Sequence, residues 1–135
     1  MYNFKQKFPR KRYGKVMQGW HTAKIYQVEI KNVISKNSRQ YIKVDFEIIS
    51  DSKYADIIVP GFFSCKKNRR LDRRFLRMGS AAGLNKEYGP GLQPIFSDLL
   101  GKELLVYVVH KYLKGRLRRD RIDDFKPLPE PGFLG

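Results

Sequence analysis

Only one cysteine, Cys65, and two histidines, His21 and His110, occur in the 135 residues. A single thiol excludes an intramolecular disulfide and suits a reducing compartment. So few soft ligands exclude a zinc module. No apolar run approaches the roughly 18 residues of a membrane span. The basic start, MYNFKQKFPRKRYGK, has no apolar segment behind it and is not read as a secretory signal. The chain has no GxxxxGK[ST] phosphate loop, and Gly89-Pro90-Gly91 reads as a turn. No cofactor is expected. Acid is scarce too: 13 Asp and Glu stand against 28 Lys and Arg, and none precedes Glu29.

The positive charge comes in blocks. The first is Lys5, Lys7, Arg10, Lys11, Arg12 and Lys15. The second is Lys66, Lys67, Arg69, Arg70, Arg73, Arg74 and Arg77, broken by Asp72. The third is Lys111, Lys114, Arg116, Arg118, Arg119 and Arg121, broken by Asp120. Clustered like charge opposes compaction unless an anionic partner neutralises it. Tyr2, Phe4, Phe8 and Tyr13 stand in the first block, and Tyr107 and Tyr112 beside the third. Cations neutralise phosphates and flat rings stack bases, so a nucleic-acid partner leads. Binding to anionic lipid would favour a long amphipathic helix, which no basic block offers, so no membrane partner is expected.

One domain with short ends fits this length. Residues 1–18 lack an apolar period and read as a flexible basic arm. The stretch WHTAKIYQVEIKNVI is strand-like, but its apolar parity slips, and a bulge near Tyr26 restores it. SKNSRQ is turn chemistry. Over 41–48, Ile42, Val44, Phe46 and Ile48 alternate with outward Tyr41, Lys43, Asp45 and Glu47. Residues 54–63 form a third strand, with Pro60-Gly61 as a bend or edge. Leu71, Phe75 and Met78 mark a helix over 70–83 that stops at Gly83. FSDLLG holds at most one helical turn capped by Ser97. KELLVYVVHKYL and residues 116–125 form a hairpin across Lys114-Gly115. The fold class is all-β with one helix, and the element order matches a five-stranded OB-fold Greek-key barrel. The rivals are an SH3-like barrel and an open sheet with one helix. The domain spans 19–127, and 128–135 is a proline-rich tail.

GWHTAKIYQVEIKNVISKNSRQYIKVDFEI, a helix followed by AAGL, LLGKELLVYVVHKY and a basic strand ending DDFKPL together resemble the small phage-type single-stranded DNA-binding proteins. These belong to phage replication and recombination clusters. The resemblance covers about 110 residues, Gly19 to Leu128, and its most specific pieces are Leu100-Gly101-Lys102-Glu103 and Asp124-Phe125-Lys126-Pro127. It implies single-stranded DNA as partner, contacts with replication or recombination proteins, and the cytoplasm of a prokaryotic cell or phage-infected host. The chain departs from the common bacterial pattern in having no long acidic tail, Glu130 and Phe133-Leu134 being all that resembles one.

Trp20 either stacks a base or plugs a barrel end. Tyr26 at the bulge either binds or joins the core. Tyr41 and Lys43 share the polar face of the second strand, which in OB proteins belongs to the oligonucleotide surface. Phe62 and Phe63 are neighbours, so one points in and one out. Phe62 enters the candidate site with Tyr107 and Tyr112. Lys111, Arg116 and Arg118 near the last hairpin, and Lys66, Lys67, Arg69, Arg70, Arg73 and Arg74 at the helix start, are candidate phosphate contacts. So are Lys5, Lys7, Arg10, Lys11 and Arg12 of the arm. Glu29 and the Asp45/Glu47 pair superficially resemble nuclease carboxylates, but no acid precedes Glu29, and Asp45 and Glu47 fit ordinary solvent-face positions, so no catalytic residue is expected. The leading function is binding of single-stranded DNA without strong sequence preference, in replication, recombination or repair. An RNA- or ribosome-associated OB protein is the alternative, followed by a metal-dependent nuclease and a scaffold whose arm docks an acidic protein.

Overall fold

The computed structural model describes residues 3–5, 11–32, 40–65, 73–84, 93–113 and 117–129. It is mostly β-sheet. Seven strands run in chain order: β1 (Asn3–Lys5), β2 (Arg12–Tyr13), β3 (Gly19–Asn32), β4 (Gln40–Ile48), β5 (Ile57–Cys65), β6 (Glu103–Leu113) and β7 (Leu117–Lys126). Two helices, α1 (Arg73–Ala81) and α2 (Gln93–Leu99), lie between β5 and β6. The helix expected over 70–83 is α1, and the short α2 overlaps the FSDLLG stretch read as one helical turn. Ser97 lies inside α2 and does not cap it. The third long strand starts at Ile57, because Tyr54 sits in a 3-10 turn capped by Asp51 and is buried.

The strands form one mixed sheet in the order β2-β5-β4-β3-β6-β7, with β1 beside β3. Among the described residues only β2 against β5 is parallel. The long β3 holds the sheet together. Its first half pairs with β6, Ala23 to Asn32 pair with β4, and residues 27–29 also receive β1. The register shifts between Ile25 and Gln27, so Tyr26 is the extra residue. This bulge puts Ala23 and Ile25 on the same face as Val28 and Ile30, and all four are buried. At the kink the freed Ile25 backbone bonds Lys102 and Gly101 at 2.9 Å each.

The clean alternation of β4 buries Ile42, Val44, Phe46 and Ile48. Phe63 points inward and Phe62 outward. Inside, Phe63 stacks on Phe125 at 5.6 Å and meets Phe75 of α1 edge-on at 5.3 Å. Phe75, Met78, Phe96 and Leu99 bring both helices onto this core. Helix α1 ends as its sequence suggests: Gly83 takes φ +91°, and Leu84 N–H bonds the Gly79 carbonyl at 3.0 Å.

The sheet curls until β5 lies beside β7, yet among the described residues no backbone ladder joins them. Gly61 permits the approach, since a Cβ there would stand 3.1 Å from Phe46 and 3.5 Å from Ile122. Side chains staple this seam. The Arg74 guanidinium donates to the carbonyls of Phe62 at 3.0 Å and Asp123 at 3.3 Å, and lies over the rings of Phe63 and Phe125.

Residues 11–18 form the second staple, which corrects the expectation of a flexible arm for this part of it. Lys11 bonds Glu47 at 2.8 Å and Asp56 at 2.9 Å. Tyr13 Oη donates to Asp45. Val16 is 1% exposed. Its N–H donates to Asp120 Oδ2 at 2.7 Å and its carbonyl accepts from Arg118 at 2.9 Å. The strap thus runs from β5 across to β7. A short segment without periodicity gives no pattern from which such pinning could be read.

Candidate nucleic-acid interface

A groove of about 480 Å3 opens where the strap crosses the seam. Tyr13, Gly14 and Lys15 form one wall. Ile58, Pro60 and Phe62 of β5 and Arg118 to Arg121 of β7 form the others, and Lys43 reaches in from β4. Outward parity on β5 exposes the Phe62 ring, and the same parity on β7 brings Arg121 over it, 4.6 Å from its centroid. Tyr41 lies tilted against Phe62, centroids 5.8 Å apart. An arginine on an exposed ring beside a second ring is a platform for a flat base, with the cation placed for its phosphate.

The cations around this platform divide into two classes. Lys15, Arg119 and Arg121 have no carboxylate partner among the described residues. Arg118 is committed inward, with Nε 2.8 Å from Asp120 Oδ1 and another nitrogen on the Val16 carbonyl. His110 Nε2 completes this cluster, 2.8 Å from that same carbonyl. Asp120 is buried. Burial raises its pKa, but the Arg118 guanidinium and the Val16 N–H outweigh it and hold the carboxyl below its ordinary value.

Lys43 is likewise occupied. It bonds Tyr13 Oη, lies 4.5 Å from that ring's centroid, and stands 3.7 Å from Asp45 and 3.8 Å from Glu29. The strap covers Asp45 so fully that it is 2% exposed, and Glu29 is also buried. The solvent-face reading of Asp45 is thereby corrected. Burial pushes the Asp45 carboxyl above its usual value, and Lys43 and Tyr13 offset this only in part. Desolvation and the Asp45 charge also push the Tyr13 phenol far upward.

The chain has no match among known protein families or curated proteins.

The other expected contacts fall into four groups. Trp20 and Tyr107 are neighbours on β3 and β6, edge to face at 5.2 Å, away from the groove. Lys111 and Tyr112 are exposed near the hairpin end, and Arg12 and Arg73 are exposed elsewhere. Several candidates are structural. Tyr26 is 7% exposed, because the bulge turns it inward. Lys11, Arg74 and Arg118 spend their charge on the staples. These four have a task within the fold itself. Lys7, Arg10, Lys66, Lys67, Arg69, Arg70 and Arg116 lie outside the described residues, as does the side chain of Lys5.

Tyr13, Lys15, Arg119 and Arg121 were absent from the candidate site as read from sequence. Arg121 had a usable signal: in a hairpin across Lys114-Gly115 it shares outward parity with Arg119. Tyr13 carried the signal of a ring inside a basic block. Among the described residues no three of His, Cys, Asp and Glu group closely enough to hold a metal ion. No helix there is long and apolar enough to cross a membrane.

Proposed function

We propose that this chain is a single-stranded DNA-binding protein of OB type, acting in replication, recombination or repair without strong sequence preference. The observation that carries this reading is the Arg121–Phe62–Tyr41 platform opening onto a groove edged by Lys15 and Arg119. Stacking tolerates every base because each has a π-face, and the cations add a sequence-independent term. The strand arrangement supports the OB assignment. Leaving aside the two short N-terminal strands, β5-β4-β3-β6-β7 is the order of a five-stranded Greek-key barrel, with the helices between its third and fourth strands. The two rings of the platform lie on the second and third of those strands, where OB proteins hold oligonucleotides, and Arg121 comes from the fifth.

DNA is favoured over RNA by the resemblance of residues 19–128 to phage-type proteins. The test is a competition titration with single-stranded DNA, duplex DNA and RNA of equal length at two salt concentrations. Single-stranded DNA should compete best, and its advantage over duplex should survive added salt. Equal competition by duplex would remove stacking from the interface, and preferential competition by RNA would reassign the ligand.

A further inference from the structure

Trp20 and Tyr107 are not needed by the core. The buried cluster closes without either ring, and Trp20, the only tryptophan, is 36% exposed. Their positions are tied to the groove by the sheet's own register. Arg121, which covers Phe62, is the partner of Val109 on β6. Val109 and Tyr107 are both partly exposed, while Val106 and Val108 are buried. Val109 and Tyr107 therefore share the outer face, two residues or about 7 Å apart. Tyr107 in turn is the partner of Trp20. An outward band thus runs from Phe62 through Arg121, Val109 and Tyr107 to Trp20.

The charges along this band suit a polyanion. Lys126 Nζ lies 4.4 Å from the centroid of the Trp20 ring. The Asp124 carboxylate, on the residue paired with Tyr107, is held by Arg77 and by the Phe125 N–H. A base entering on Trp20 would displace the Lys126 ammonium toward the adjoining phosphate, so the cation–π contact would be exchanged for a charge-assisted one.

We propose that a bound single strand continues past the groove, over β7 and β6, to a second stacking station made by Trp20 and Tyr107. This rests on the single-strand reading of the groove and lengthens its footprint. The test uses the full chain with oligothymidylates of about 4 and about 16 nucleotides, the ends of the range for one OB domain. The short one should bind in the groove and leave Trp20 fluorescence unchanged; the long one should quench it. Trp20→Ala should weaken the long oligonucleotide about tenfold or more and the short one hardly at all, whereas Phe62→Ala should weaken both. Tyr107→Ala, checked by circular dichroism like the other variants, should repeat the Trp20→Ala pattern.

If Phe62→Ala weakens binding while Trp20→Ala and Tyr107→Ala bind the long oligonucleotide like wild type, the second station is wrong and the groove stands. Quenching by the short oligonucleotide would equally overturn it, by placing Trp20 at the first site. If neither oligonucleotide binds the wild-type chain, the groove reading itself falls.

Discussion

Arg121 lies over Phe62 although β5 and β7 share no backbone ladder among the described residues, and the contact at 4.6 Å spans the seam between them. A base stacking on Phe62 would displace that guanidinium, which belongs to the opposite bank of the groove, toward the adjoining phosphate.

Phe62→Ala should therefore cost about 1–3 kcal/mol of affinity for single-stranded DNA, the value of one stacked base. Tyr41→Ala should fall in the same range. Both rings point away from the core, so the loss of stability should stay within about 0.5 kcal/mol. Fluorescence anisotropy and thermal unfolding measure the two quantities separately. A variant that unfolds readily yet binds normally would return its ring to the core.

Replacing Lys15 and Arg119 together should flatten the dependence of log K on log salt by about 0.7 for each phosphate that is no longer neutralised. The fold should be unaffected, because neither cation has a carboxylate partner among the described residues. Arg118→Ala should do the reverse. It strips Asp120 of its guanidinium and removes one of the two side-chain partners of the Val16 carbonyl, so the melting temperature should drop before any change in salt slope is seen. An unchanged melting temperature would make Arg118 an ordinary surface cation.

Asp45 and Asp120 should answer acid in opposite ways. The folded-state pKa of Asp45 is raised by burial above its ordinary 3.8. The folded chain therefore holds that proton more tightly, and this residue favours folding more as pH falls toward 3.8. The folded-state pKa of Asp120 is lowered, so its contribution is present above 3.8 and is lost as pH drops through the lower folded value. Asp45→Asn should change stability most near neutral pH, with the difference from wild type shrinking toward pH 4. Denaturant titrations across that range give the curves, and a difference that widens on acidification would contradict the raised pKa.

Val16→Ala should destabilise the chain by about 1.5–3 kcal/mol, the burial value of a valine side chain. Removal of residues 1–18 should cost more, because it also takes away the partners of Asp45 and Asp120. Chemical denaturation measures both. A truncated chain as stable as the full one would show that the strap only rests on the sheet.

The long strands were legible in the sequence because alternation is a local signal. Ile42 to Ile48 assign β4 unaided, and the slipped parity around Tyr26 locates the bulge to the residue. The pairing partners of charged groups were not legible. Lys11, Arg74 and Arg118 look like any other member of a basic block, and what separates them is contact with Glu47, the Phe62 carbonyl and Asp120 respectively, none of which a charge pattern reveals. The choice between Phe62 and Phe63 likewise waits on register, since adjacent residues in a strand always face opposite ways. The strap was hidden because one buried valine makes no period.

The two staples also bear on the motion of this molecule. A seam closed by side chains can part while every interstrand ladder stays intact, so the groove can breathe without amides exchanging on β4 or β6. A strand lying on Phe62 and Arg121 would grip both banks at once and complete the closure that the backbone leaves undone. The ligand would then act as a third staple, and saturation with it should raise the unfolding temperature by mass action as well as slow the opening of the seam.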